Sequence, residues 1–186
     1  MGFDKALLSI GGKPLIQTIL ERVRPLTDEV FVSSNDQSAY EFLGLPVVPD
    51  VFKEQGPLAG LHSAMLHSSR LLFLLLACDM PNLHEPLLRH LVLSAEGFDA
   101  VIPRTADGGN HPLCAVYRKT CLPAIESNLS MGVNKVTDIF AESSLRVRWL
   151  EIREGGFSDL DLANLNSPED LESFRIQSHA IDKIDD

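Results

Sequence analysis

The run Leu71-Leu72-Phe73-Leu74-Leu75-Leu76 is the feature that most constrains how this chain can fold. It continues without alternation into Ala77-Cys78-Asp79-Met80-Pro81, where it stops abruptly. An uninterrupted apolar run closed by a turn signal is expected to be a strand buried on both faces in a parallel sheet. A buried helical turn has the same pattern, but Pro81 disfavours the α conformation at Met80. Asp79 then stands at the carboxyl end of the strand, the edge where open α/β sheets bind ligands. A carboxylate there suits one hard divalent cation, Mg²⁺ above all, shared with phosphate oxygens. The competing reading makes Asp79 the cap of a helix starting near Asn82.

Similar runs recur along the chain. Leu7 to Ile10 leads into a Gly11-Gly12-Lys13-Pro14 turn, and Pro14 suits the first position of a helix. Leu15, Ile16, Ile19, Leu20 and Val23 then repeat at helical spacing until Pro25. Residues 29–35 form a predicted strand ending in polar residues, 37–43 a short helix, and 45–50 a strand ending at Asp50. A loop over 53–56 opens a helix over 58–68. Beyond the central run come a helix at 85–93, strands at 100–102 and 112–117, and helices at 119–129 and 135–140. A strand at 145–152 and a helix at 167–174 close the pattern, the latter opened by Ser167-Pro168-Glu169. Alternating strands and helices imply a three-layer, doubly wound α/β domain with a mostly parallel sheet and helices on both faces. The 186 residues fit one such domain, taken as 1–176, with 177–186 a polar tail that frays.

Charge narrows the partners. A net charge of −10 argues against non-specific binding to nucleic acid or to an anionic membrane surface. An anionic ligand remains compatible, because backbone amides and a metal can supply the local positive field. Three cysteines, Cys78, Cys114 and Cys121, lack C-x-x-C spacing, which points to reduced thiols and a cytoplasmic protein. The opening Met1 to Lys5 is too polar for a signal peptide, and no apolar run approaches bilayer length.

Parallel strands would gather Ser33, Asn35, Asp50 and Asp79 along one rim, as a phosphate and metal site or as ordinary turn chemistry. Gly56-Pro57-Leu58-Ala59-Gly60 sets two glycines around a helix start, where free N–H groups can face an anion. Lys5 could contact phosphate, or could simply be a surface lysine. His111, after Gly108-Gly109-Asn110, could contact substrate or carry a proton, or be a surface polar residue. The other five histidines have no metal-ligand spacing and are read as structural. No G-x-S-x-G, P-loop or H-E-x-x-H motif occurs, which disfavours serine hydrolases, P-loop enzymes and zincins.

Taken together, these segments resemble the molybdenum cofactor guanylyltransferase family, within the nucleotidyltransferases that activate sugars and cofactors. The resemblance rests on five pieces in order over nearly the whole chain. They are Met1-Gly2-x-Asp4-Lys5 with Gly12-Lys13-Pro14-Leu15, Gly56-Pro57-Leu58-Ala59-Gly60, Cys78-Asp79-Met80-Pro81, His111-Pro112-Leu113, and Asn164-Leu165-Asn166-Ser167-Pro168-Glu169. It implies transfer of GMP from GTP to molybdopterin carrying molybdenum, with release of pyrophosphate. Lys5 and Asp79 would be catalytic, Lys5 on the triphosphate and Asp79 holding Mg²⁺. Ser33, Asn35 and Asp50 would recognise guanosine, and Gly56, Pro57 and Gly60 would line the nucleotide pocket. His111, Asn164 and Asn166 would face the metal or the pterin phosphate. Contacts with molybdenum-insertion proteins or molybdoenzymes would be transient.

The family opens with a strand and a glycine-rich loop ahead of the Met-Gly-x-Asp-Lys segment, and this sequence starts at that methionine. The expected sheet therefore lacks its first strand, leaving a gap between the strands near 30–33 and 72–76. A cytidylyltransferase or sugar-1-phosphate nucleotidyltransferase of the same fold is the alternative within the class. A non-catalytic pterin- or nucleotide-binding module is the alternative outside it.

Overall fold

The computed structural model describes residues 4–141 and 143–165, together with 170, 172 and 174. Its first elements are a 3₁₀ turn at Lys5–Leu7 and a hairpin of β1 (Ser9–Ile10) and β2 (Lys13–Pro14). Helix α1 (Leu15–Val23) follows, its buried Leu15, Ile16, Ile19, Leu20 and Val23 being the periodic set in the sequence. Next come β3 (Val32–Ser33), a 3₁₀ segment at Ser38–Leu43, β4 (Val47–Val48), and α2 (Gly56–His67). The central apolar run becomes β5 (Leu72–Leu76), followed by α3 (Glu85–Leu93) and the strands β6 (Ala100–Arg104) and β7 (Cys114–Arg118). Helix α4 (Leu122–Ser130) and β8 (Val147–Glu151) complete the layers.

The main sheet has the order β5-β7-β6-β8. Strand β8 runs parallel to β6, from Ala100↔Val147 to Arg104↔Glu151. Strand β7 runs antiparallel to both neighbours, pairing Leu72↔Arg118 through Leu76↔Cys114 with β5. Strands β3 and β4 form a separate parallel pair.

Side-chain alternation divides the core between the two faces. Cys114 and Val116 of β7, with Val101 of β6, pack among residues of α1 and α3. Ala115 and Tyr117, with Ala100 and Ile102, pack among residues of α2 and α4. Helices on both faces of the sheet give the expected doubly wound arrangement. Helix α2 is buried along nearly its whole length, Leu58 to Met65, as a helix between other elements must be.

Strand β5 meets both apolar layers, through Leu72, Leu74 and Leu76 on one side and Phe73 and Leu75 on the other. Only Phe73 is fully buried; the other four β5 residues are half-buried, against the expectation of burial on both faces. The cause is lateral. Among the described residues β5 ends the four-stranded sheet, and its outer side faces β3 across an apolar cleft. One cavity of about 330 Å³ there is lined by Val30, Phe31, Leu72, Phe73 and Leu74. A neighbouring one of about 210 Å³ is lined by Val32, Ser33, Leu75, Leu76 and Cys78, with α1 as its floor.

The predicted strands at 29–35 and 45–50 contract to two residues each. Pro46 and Pro49 flank β4 and have no N–H to extend the ladder. The predicted helix at 135–140 is a 3₁₀ segment, Val136–Phe140. Of the predicted helix at 167–174, residues 170, 172 and 174 are helical, and the rest lie outside the described residues, as does the tail. No helix among the described residues is long and apolar enough to cross a membrane.

His62 of α2 carries a prediction of its own. It is 1% exposed, its ring edge-on to Phe52, and neither ring nitrogen has a hydrogen-bond partner among the described residues. Burial lowers its pKa, and the negative charge of Glu126 opposes this only in part. The unfolded chain protonates this histidine near pH ~6.5, whereas the folded protein holds it neutral to lower pH. Stability from this site is therefore complete above that value and is lost as pH falls below it. His62→Leu should flatten the fall in Tm between about pH 7.5 and 5.5. An unchanged Tm–pH slope in the variant would exclude His62 as the source.

Candidate active site

Asp79 emerges where β5 leaves the sheet. Ala77 donates its N–H to Leu113 at 2.6 Å, and Asp79 accepts from the Leu165 N–H through its carbonyl at 2.7 Å. Helix α3 starts at Glu85 with His84 at its N-cap, so Asp79 does not cap it and the strand-end reading holds. Lys5 reaches the same place from the first turn of the described chain, donating from Nζ to Asp79 Oδ2 at 3.2 Å. The two side chains are 30% and 20% exposed. Ion pairs this open to water contribute little to stability, so the pair matters chiefly for where it holds charge.

A second group lies at the ends of β3 and β4. Asp50 accepts from Ser33 Oγ at 3.4 Å and from Asn35 Nδ2 at 2.9 Å, and its own N–H donates to Asn35 Oδ1 at 3.1 Å. Lys53 Nζ also donates to Asn35 Oδ1, at 3.3 Å. Gly60 approaches from α2: a Cβ at this position would collide with Ser33 Oγ and lie 3.7 Å from Asp50 Oδ1. A larger residue here would have to displace the Ser33 side chain from Asp50. Gly56 opens the helix at a φ of +64°, which favours glycine, with Pro57 behind it in the first turn. A cavity of about 320 Å³ is bounded by Ser33, Asp50, Gly56, Pro57 and Gly60 on one side and by Leu75 to Cys78 and Leu113 on the other. Cys78 thus lines it immediately before Asp79.

His111 is fixed by its backbone, its N–H donating to Pro103 at 3.0 Å while its carbonyl accepts from Cys114 at 3.0 Å. Its ring is half-buried, and desolvation lowers its pKa more than Asp107 and Asp159 raise it. Two residues on, Leu113 lines the cavity. Asn164 precedes the residue that binds the Asp79 carbonyl, and its Oδ1 is buried without a hydrogen-bond partner among the described residues. An unpaired buried acceptor of that kind is costly unless a ligand or water meets it. Asn166 lies outside the described residues. Segments from five parts of the chain therefore converge at the carboxyl end of β5.

Sequence reasoning missed several neighbours. Tyr40 and Cys78 pack under the Lys5 turn in one apolar cluster with Ala6 and Ile16. Burial, with Asp4 and Asp79 nearby, pushes the Cys78 thiol up to about 12, so it stays protonated and serves as packing. Gln55, at the N-cap of α2, buries its Oε1 without a partner among the described residues. Tyr40 carries no local signal, because its contact with Asp4 spans 36 positions.

Comparison with known proteins shows which family the chain resembles along its length. The family model described as MobA-like NTP transferase domain matches residues 1–147. A probable molybdenum cofactor guanylyltransferase of Pelotomaculum thermopropionicum is 35% identical over 96% of this chain and 87% of its own length. The molybdenum cofactor guanylyltransferase of Vibrio vulnificus is 30% identical over 93% of this chain and 87% of its own. Among solved structures, the molybdopterin-guanine dinucleotide biosynthesis protein A of Archaeoglobus fulgidus superposes with a TM-score of 0.80 at 26% identity. That match covers 96% of this chain and 92% of the other.

Proposed function

The chain belongs to the MobA-like NTP transferase family, and from that membership we propose that it transfers GMP from GTP to molybdopterin carrying molybdenum. A phosphate oxygen of the pterin attacks the α-phosphorus of GTP. The bond between that phosphorus and the oxygen bridging to the β-phosphate breaks, and pyrophosphate leaves. Such a transfer needs positioning and charge stabilisation more than covalent help from the protein. The observation that carries the reading is the Lys5–Asp79 pair at 3.2 Å beside a cavity edged by Ser33, Asp50, Gly56 and Gly60.

In this reading Lys5 leaves Asp79 for the triphosphate, where its ammonium offsets charge on the departing pyrophosphate. Ser33, Asn35 and Asp50 hold the guanosine, with the carboxylate accepting guanine N–H groups. Gly56, Pro57 and Gly60 let the nucleotide lie against backbone. His111 and Asn164 face the pterin side, and Asn166 is assigned to the same substrate. The half-buried, neutral imidazole of His111 and the open acceptor of Asn164 suit a polar, ring-bearing substrate.

Asp79 offers hard oxygen ligands, and no group of three or more His, Cys, Asp or Glu among the described residues could form a metal cage. That donor set fits Mg²⁺, which is usually held by one or two carboxylates together with substrate phosphates. Bound there, the ion would polarise phosphate oxygens and offset their charge. Residues 1–176 act as one domain in the cytoplasm, where Cys78, Cys114 and Cys121 remain free thiols. Contacts with molybdenum-insertion proteins or molybdoenzymes are transient.

Asp50→Ala tests the base assignment. It should weaken GTP binding by about 1.5–3 kcal/mol, the scale of a hydrogen bond to a charged group. ATP binding should change much less, and metal binding little. Calorimetric titration showing equal losses for GTP and ATP would remove Asp50 from base reading.

A further inference from the structure

We infer that Tyr40 is a positioning residue for Lys5, acting through Asp4 to hold the amine where it meets Asp79 and, on the reading above, the triphosphate. The Tyr40 hydroxyl donates to Asp4 Oδ2 at 2.5 Å. The other Asp4 oxygen, Oδ1, accepts from the Ala6 N–H at 3.0 Å, which makes Asp4 the cap of the 3₁₀ turn Lys5–Leu7. The Asp4 carbonyl closes that turn by accepting from Leu7 at 3.2 Å. One carboxylate therefore ties the backbone on both sides of Lys5 to a fixed aromatic ring.

The ring is well placed to be fixed. Tyr40 is 7% exposed, in an apolar cluster with Ala6, Ile16, Val32, Val47 and Cys78. Ala6 follows Lys5 and Cys78 precedes Asp79, so the cluster underlies both members of the ion pair. Lysine has a long side chain with much rotamer freedom, and anchoring its backbone confines where Nζ can go. Burial and the adjacent Asp4 raise the Tyr40 pKa, so the hydroxyl remains a donor throughout the physiological range. The sequence hides the arrangement, because Tyr40 lies in a short 3₁₀ segment with no motif around it.

The test is a double-mutant cycle on nucleotide binding, read by calorimetry with GTP and GMP in parallel. Tyr40→Phe keeps the ring and deletes the donor. It should weaken GTP about tenfold, as loss of a hydrogen bond to a charged group does, while leaving GMP within about twofold. In a Lys5→Ala background the same substitution should cost nothing further, because its effect passes through Lys5. A merely structural role would weaken GTP and GMP alike, or add its full cost in both backgrounds, and either result overturns the inference. Asp4→Ala is the second variant, should Tyr40→Phe fail to fold; it deletes the carboxylate on which both bonds meet and should give at least the same GTP-selective loss. Equal GTP affinity in Tyr40→Phe, Asp4→Ala and the parent also overturns it. A parent that binds neither nucleotide refutes the functional reading instead, so the two failures are distinguishable.

Discussion

Asp79→Asn should leave a folded protein whose transfer of GMP falls by about 10²–10³-fold, the scale of losing one preorganised charge contact in a transition state. The substitution keeps the shape of the side chain and its backbone link to Leu165, but removes the charge that faces Lys5 at 3.2 Å. The strand end should survive, since the pair is partly open to water and contributes little to folding. Two measurements separate the contributions. Circular dichroism and Tm should be close to those of the parent, while pyrophosphate release from GTP with molybdopterin should no longer respond to added Mg²⁺. Activity that stays high and still follows a magnesium titration would mean that Asp79 does not hold the ion. Lys5→Ala should lower transfer as well, but with its magnesium dependence intact.

The second large effect concerns the cleft between β3 and β5. Among the described residues β5 pairs only with β7, and β3 only with β4, so each has an outer edge without a strand partner there. Those edges face each other across cavities lined by Val30, Phe31, Leu72, Leu74, Leu75 and Leu76. An unmet buried backbone group costs about 1–3 kcal/mol, and whole domains are stable by only about 5–15 kcal/mol. Apolar edges with free N–H and C=O groups also recruit strands from other molecules. The protein is therefore expected to self-associate at high concentration, and a strand-length apolar peptide supplied in trans should occupy the cleft, raise Tm and keep the protein dispersed. Gel filtration and thermal melting with and without the peptide test this. A monodisperse protein whose Tm ignores the peptide would show that the open edges are tolerated.

Much of this architecture is legible in local pattern. The buried face of α1 is the set Leu15, Ile16, Ile19, Leu20 and Val23, because helical period alone selects which side chains share a stripe. Asp79 at the end of an apolar run closed by Pro81 marked a strand end, and β5 stops at Leu76, shortly before it. The short β3 and β4 were harder to read. Apolar residues at 29–35 look like a full strand, but a strand is only as long as its partner, and two prolines limit the partner.

The site divides along the same line. Residue types and their order within each segment were determined by the sequence alone: a lysine after Asp4, a carboxylate after Cys78, glycines at 56 and 60. Which of them meet was decided only by tertiary structure. Lys5 and Asp79 are 74 positions apart, Tyr40 and Asp4 36, and Asn35 and Asp50 15. Periodicity reports a residue's neighbours along one helix or strand; it has no term for contacts between segments. The reversed direction of β7 belongs to the same class, since either direction buries Ala115 and Tyr117 on one face and Cys114 and Val116 on the other. Alternation sets the faces of a strand, and only hydrogen bonding to β5 and β6 sets its direction.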